Sequence, residues 1–328
     1  AFENRITKLE GGIASVACAS GMAALTNAFL NILQSGDEIV SSAGLYGGSI
    51  DLFRDLETFG ITTKYVETNN WEQIEAAIGE HTKLIFAETI ANPGLTVTDI
   101  EKMSEIAHNH GVPLVVDNTT ATPYLIRVLK HGADIVVNSS SKYMNGSSNA
   151  ISGILTDGGK FKWDKKKYPG MSDYVKYGPM AFVAKLRNGI FRNTGACLSP
   201  VNAYLNLIGI ETLGLRMERE CQNALELAHW IAENYSDIIV NYPGLESSAW
   251  HDFAKEQFEH GYGAILTLRA GSKEKAFKFI DSLTIPYVIS NIGDTKTLVL
   301  HPASTISLHS TEKEKEVAGV YEDLVRVS

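Results

Sequence analysis

Apolar residues along the first half of the chain fall into short runs separated by stretches of helical period. EIVSS (38–42), TKYVE (63–67), KLIFAE (83–88), PLVVDN (113–118), DIVVNS (134–139) and GILTD (153–157) have strand length and carry many β-branched residues. Between several of them, GSIDLFRDLETF (48–59), NWEQIEAAI (70–78) and DIEKMSEIAHNH (99–110) repeat apolar positions at helical spacing. This alternation predicts an α/β fold with a mostly parallel sheet covered by helices on both faces. After about residue 195 the rhythm changes. SPVNAYLNLIGIETL and RMERECQNALELAHWIAENY read as long helices, followed by GAILTLRA, KEKAFKFIDSL and TKTLVLH. The expected organisation is a large domain over 1–213 and a smaller C-terminal α+β domain over 214–328. The sequence opens on AFENRITKLEGG, already helical in pattern, and closes on DLVRVS inside a strand pattern, so residues beyond both ends are expected.

Composition adds exclusions rather than identity. The 328 residues are 44% hydrophobic and 20% charged, with a net charge of −9. Such a balance argues against nucleic acid or an anionic membrane as partner. No uninterrupted apolar stretch is long enough to span a bilayer. Cys18, Cys197 and Cys221 are far apart and odd in number, which gives neither metal-ligand spacing nor a disulfide framework. A reducing, cytoplasmic setting and no metal are the expectations.

Candidate chemistry collects where strands end. Open parallel sheets bind ligands beyond the carboxyl ends of their strands. Three runs turn polar there: KLIFAE into Glu88 and Asn92, PLVVDN into Asp117 and Asn118, and DIVVNSSSK into Ser139, Ser141 and Lys142. A lone lysine in a polar turn is usually solvated. An acid, a lysine and serines on one sheet edge make a stronger signal. Ser20 and Gly21 precede the helical run MAALTNAFLNIL, so Gly21 and Met22 can offer backbone N–H groups to an anion, although Ser-Gly there is more often a plain cap. Tyr46, followed by Gly47 and Gly48, places an aromatic ring on a turn, where a planar cofactor can stack. GxGxxG, GxxxxGK[ST] and HExxH are all absent, which removes the nicotinamide, phosphate-loop and zinc-helix readings. A lysine for an imine, an acid for a ring nitrogen and a helix end with hydroxyls for a phosphate are what pyridoxal phosphate requires.

On FENRITKLEGG, ASGMAAL, GDEIVSS, LYGGS, VDNTTATPYL, ADIVVNSSSKY, LSPVNAYL, ETLGLRMER, HPAST and LVRVS, in that order, the chain resembles the Cys/Met-metabolism family of pyridoxal-phosphate enzymes. The resemblance implies the type I fold of those enzymes. It makes Lys142 the Schiff-base lysine and Asp117 the partner of the pyridine nitrogen. Tyr46 becomes the ring-stacking tyrosine, with a hand in proton transfer. Gly21, Met22, Ser139 and Ser141 become the phosphate donors, and Asn92 the neighbour of the phenolic oxygen. Arg326 takes the carboxylate clamp, with Thr297 beside it. The family usually has histidine at the positions of Asn138 and Ser147 and an aromatic at Thr120. Its amino-terminal arm, which reaches a neighbouring subunit's phosphate site, lies outside this sequence.

ISNIGDTKTLVLHPAST (289–305) and the GAILTL block are most like the O-acetylhomoserine sulfhydrylase branch, and Gly48 stands where γ-lyases tend to carry cysteine. The branch implies an amino-acid substrate and a sulfur donor: acetate leaves Cγ of O-acetyl-L-homoserine, and sulfide or methanethiol takes its place. The alternatives are a γ-lyase, a cystathionine γ-synthase or lyase, or an inactive structural relative. A homo-oligomer, a tetramer built as a dimer of dimers, is also implied.

Overall fold

The computed structural model describes all 328 residues. Seven strands form the larger sheet: β1 (Ala14–Cys18), β2 (Glu38–Ser42), β3 (Thr62–Val66), β4 (Thr82–Glu88), β5 (Leu114–Asp117), β6 (Ile135–Asn138) and β7 (Gly153–Asp157). Their order is β1-β7-β6-β5-β4-β2-β3. The pairs β2–β3, β2–β4, β4–β5 and β5–β6 are parallel, and β7 runs antiparallel to both β1 and β6. The six runs read from the sequence are all strands, within a residue or so at each end. β1 is the exception that the pattern missed. Its Ala-Ser-Val-Ala-Cys composition has little β-branched content, and its pairing with β7 makes it a strand.

The sheet buries both faces, which is why its strands read as unbroken apolar runs. Val40, Ile85, Val116 and Val136 point into one core; Ile39, Phe86, Val115 and Val137 point into the other. Three helices position the ligand edge or support it: α1 (Phe2–Glu10), α2 (Gly21–Ile32) and α3 (Gly47–Thr58). Ser20 caps α2 by accepting from the Ala23 N–H at 3.0 Å.

A second sheet holds β8 (Ile239–Asn241), β9 (Leu266–Arg269), β10 (Tyr287–Val288), β11 (Leu298–Leu300) and β12 (Leu324–Val327), in the order β10-β11-β12-β9-β8. The helix Leu213–Asn234 joins the two parts. Its Leu213, Met217 and Cys221 pack into the first domain's core, whereas Ala224, Ala228 and Ile231 pack into the second. No helix is long and apolar enough to cross a membrane.

Candidate active site

Register brings the polar strand ends together. Glu88 at the end of β4 pairs with Asp117 at the end of β5, and Asp117 pairs in turn with Val137 of β6, two residues before Ser139. The chain then turns through Ser139–Lys142, facing the start of α2. β12 of the second sheet supplies Arg326 from across the gap. Between them lies a cavity of about 360 Å³ lined by Gly21, Met22, Tyr46, Asn92, Asp117, Ser139, Ser141, Lys142 and Arg326. Nine of the ten residues singled out in the sequence therefore share one hollow.

The α2 end is built as an anion cradle. The first N–H groups of a helix have no partner within it, and the Ser20 cap satisfies only that of Ala23. A Cβ added at Gly21 would sit 2.7 Å from the Ser139 Cβ, so only glycine lets these two segments approach. Ser139 receives no bond from its neighbours at its hydroxyl, while its N–H donates to Thr119 Oγ1 at 2.7 Å. Ser141 is more committed than expected: its hydroxyl donates to the Ser152 carbonyl at 2.9 Å and accepts the Ser152 N–H at 2.8 Å.

Charge in the cavity is costly and unbalanced. Burial lowers the Lys142 ammonium from its ordinary value, and nearby Arg326 lowers it further. Burial also brings Arg326, 3% exposed, down to about 10. Its Nη1 donates to Asn92 Oδ1 at 3.0 Å and its Nη2 to the Asn291 carbonyl at 2.7 Å, which leaves Nε without a partner. Burial, with Asp117 next to it, raises the Glu88 carboxyl well above the usual range. Asp117 is also raised by burial, but the Thr119 hydroxyl and N–H oppose this. Two carboxyls this close cannot both stay charged without a cation, and the Thr119 bonds favour charge on Asp117. Two buried cations, an acid pair, an orphan Nε and an open helix end fit a ligand that carries a phosphate and a protonated ring nitrogen. Pyridoxal phosphate fits this donor set.

Thr297 is placed elsewhere. It lines a separate hollow with Tyr143, Glu220 and Asp294. Asn138 and Ser147 also lie outside the cavity, and Asn138 donates to Glu10 Oε1 at 2.7 Å. Thr120, by contrast, is in the wall. Residues of the wall to which sequence reading assigned no role include Glu88, Thr119, Ser148 and Asn291. Glu88 was visible as a strand end; the bond its Oε1 accepts from the Tyr46 N–H, 2.7 Å, needed the fold. Asn291 sat inside a motif read only as a branch marker.

Comparison with known proteins agrees with this geometry. A family model described as "Cys/Met metabolism PLP-dependent enzyme" matches residues 1–328. The chain is 41% identical to a homocysteine synthase from Schizosaccharomyces pombe, an alignment that covers 100% of this chain and 80% of the relative. It is 42% identical to an O-acetyl-L-homoserine sulfhydrylase from Corynebacterium glutamicum, covering 100% and 79%. The solved structure of an O-acetylhomoserine sulfhydrylase in the methionine biosynthetic pathway of Wolinella succinogenes superposes with a TM-score of 0.88 at 39% identity, covering 100% and 90%. A Campylobacter jejuni structure holding N'-pyridoxyl-lysine-5'-monophosphate superposes with a TM-score of 0.92 at 33% identity, covering 100% and 81%. The chain belongs to the Cys/Met-metabolism family of pyridoxal-phosphate-dependent enzymes, with their type I fold.

Proposed function

We propose that this enzyme replaces the acetate on Cγ of O-acetyl-L-homoserine with sulfide or methanethiol, forming homocysteine or methionine. What supports the reading is full-length identity near 40% to sulfhydrylases and homocysteine synthases, coupled to a cavity that holds a lysine, an acid and a guanidinium. When bound, pyridoxal phosphate supplies the electron sink that makes protons on the substrate's carbon chain removable. Everything else falls to side chains. In this reading Lys142 carries the cofactor, and its lowered pKa lets the freed amine move protons at Cα and Cβ. Asp117 holds the ring nitrogen protonated, and Tyr46 covers the ring. Gly21, Met22 and Ser139 receive the phosphate. Arg326 receives the α-carboxylate, since its planar fork matches that group.

Surface chemistry supports a homo-oligomer. Val201, Tyr204 and Ile208 on the helix Pro200–Glu211 are exposed, as is Ile151, whose carbonyl accepts from Asn202 at 2.9 Å. Ile151 also lines the cavity, so an apolar face and the mouth of the site adjoin. In our reading a second copy of the chain covers this face, as in a homo-oligomeric enzyme with a tetramer as the full assembly. The deciding experiment is product analysis with O-acetylhomoserine, with and without sulfide. Homocysteine as the main product is expected; 2-oxobutanoate and ammonia dominating at saturating sulfide would establish a γ-lyase instead.

A further inference from the structure

The loop Ser290–Thr295 is fastened to the segment that carries Lys142. Gly293, at φ 73°, lies so near that an added Cβ would be 2.4 Å from the Tyr143 nitrogen. Thr295 N–H donates to the Gly146 carbonyl at 3.1 Å. Within this stitched pair, the Lys142 Nζ donates to Asn291 Oδ1. Asn291 Nδ2 donates to Ser148 Oγ at 2.8 Å, and its backbone carbonyl accepts from Arg326. Ser148 is itself held at φ 52°, a left-handed conformation that costs energy for a non-glycine residue.

The orientation of the amide follows from donor bookkeeping. An ammonium has only donors, so the Asn291 oxygen must face Lys142 and the NH₂ must face away. The Ser148 oxygen takes that NH₂ as an acceptor. The series Ser148–Asn291–Lys142 is thus polarised in one direction, each group fixing the next.

We propose that Asn291 is a positioning residue that parks the free Lys142 amine, while its backbone carbonyl fixes Arg326 at a set distance from that amine. The inference rests on the reading of Lys142 as the proton-moving group and adds the residue that aims it. One loop residue then ties the group that moves protons to the group that grips the carboxylate. Its side chain serves the first and its backbone serves the second, so substitution separates the two functions. Asn291→Ala removes the amide and keeps the carbonyl.

Asn291→Ala is expected to lower kcat on the order of ten- to a hundredfold, the usual range for a displaced catalytic group, with KM for O-acetylhomoserine nearly unchanged. Imine absorbance should persist, because the amide is not needed to form it. The second readout uses cofactor-free protein: acetic anhydride labelling of Lys142 across a pH series, read by peptide mass. The amide oxygen stabilises the ammonium, so Asn291→Ala should move the labelling midpoint to lower pH, and Asn291→Asp to higher pH. Ser148→Ala should shift it in the same direction as Asn291→Ala, by less, and serves if the alanine variant at 291 does not fold. An unchanged midpoint in all three variants overturns the proposal, as does a KM rise that matches the kcat fall. If wild-type protein makes no homocysteine but the midpoints move as stated, the sulfhydrylase reading fails and the parking role stands.

Discussion

Lys142 sits in a place where a cation is penalised, and that penalty has a measurable form. Borohydride treatment of the yellow holoenzyme should fix the label on the peptide that contains Lys142, and Lys142→Ala should abolish turnover. A label on any other lysine contradicts the assignment. In the proposed reading Asp117→Asn removes the charge that holds the ring nitrogen protonated, so kcat should fall about a hundredfold or more while the imine still forms. Near-normal activity in that variant would give the acid another task. With Arg326 as the proposed carboxylate clamp, Arg326→Ala should raise KM for every amino-acid substrate, on the order of a hundredfold, since it leaves a carboxylate buried without its partner. Lys142 and Asp117 were legible in the sequence because an acid, a lysine and serines fall together at one sheet edge, whereas Arg326 came from the family resemblance alone. Glu88 was noted as a strand end but given no role, and Asn291 was not singled out, since an acid closing a strand and an asparagine in a polar loop have ordinary solvated uses. Thr297 was set beside Arg326 by family resemblance alone, and it lines a different hollow.

Elements carry a different kind of tension. Glu10, the last residue of α1, is fully buried, and its carboxyl is raised to about 8 by burial, against which the Asn138 bond works. Its Oε2 and the Asn138 Oδ1 both lack partners, and a proton on Oε2 would supply the missing donor. The folded-state value lies above the unfolded one, so stability is fully present below about 4.5 and declines as pH rises through about 8. Glu10→Gln is neutral throughout. Its melting temperature should therefore gain on wild type steadily from pH 5 to 8 in thermal scans; a constant difference would show that Glu10 is charged when folded. At the head of α2, Gly21→Ala should weaken cofactor retention, because the new methyl meets Ser139. Equilibrium dialysis against pyridoxal phosphate checks this. The helices and inner strands were readable from periodicity because they are buried on defined faces. β1 was not, for its strand character comes from β7 alone, and no local pattern encodes a partner some 140 residues away.

At the scale of the molecule, the apolar face beside the cavity predicts self-association. Sedimentation of the holoenzyme should show a homo-oligomer, and Tyr204→Glu on the helix Pro200–Glu211 should shift it toward smaller species. A fully active monomer would rule out a site completed by a second copy. The joining helix Leu213–Asn234 bears on another property. Its first half belongs to one core and its second half to the other, within a single continuous rod. Melting either core strips one half of its packing, and an isolated helix of that length is only marginally stable in water. Heat should therefore not be absorbed in two separate steps. Scanning calorimetry is expected to give one endotherm, and a pair of glycines at Glu218 and Arg219, which loosens the rod at its midpoint, is expected to split it in two.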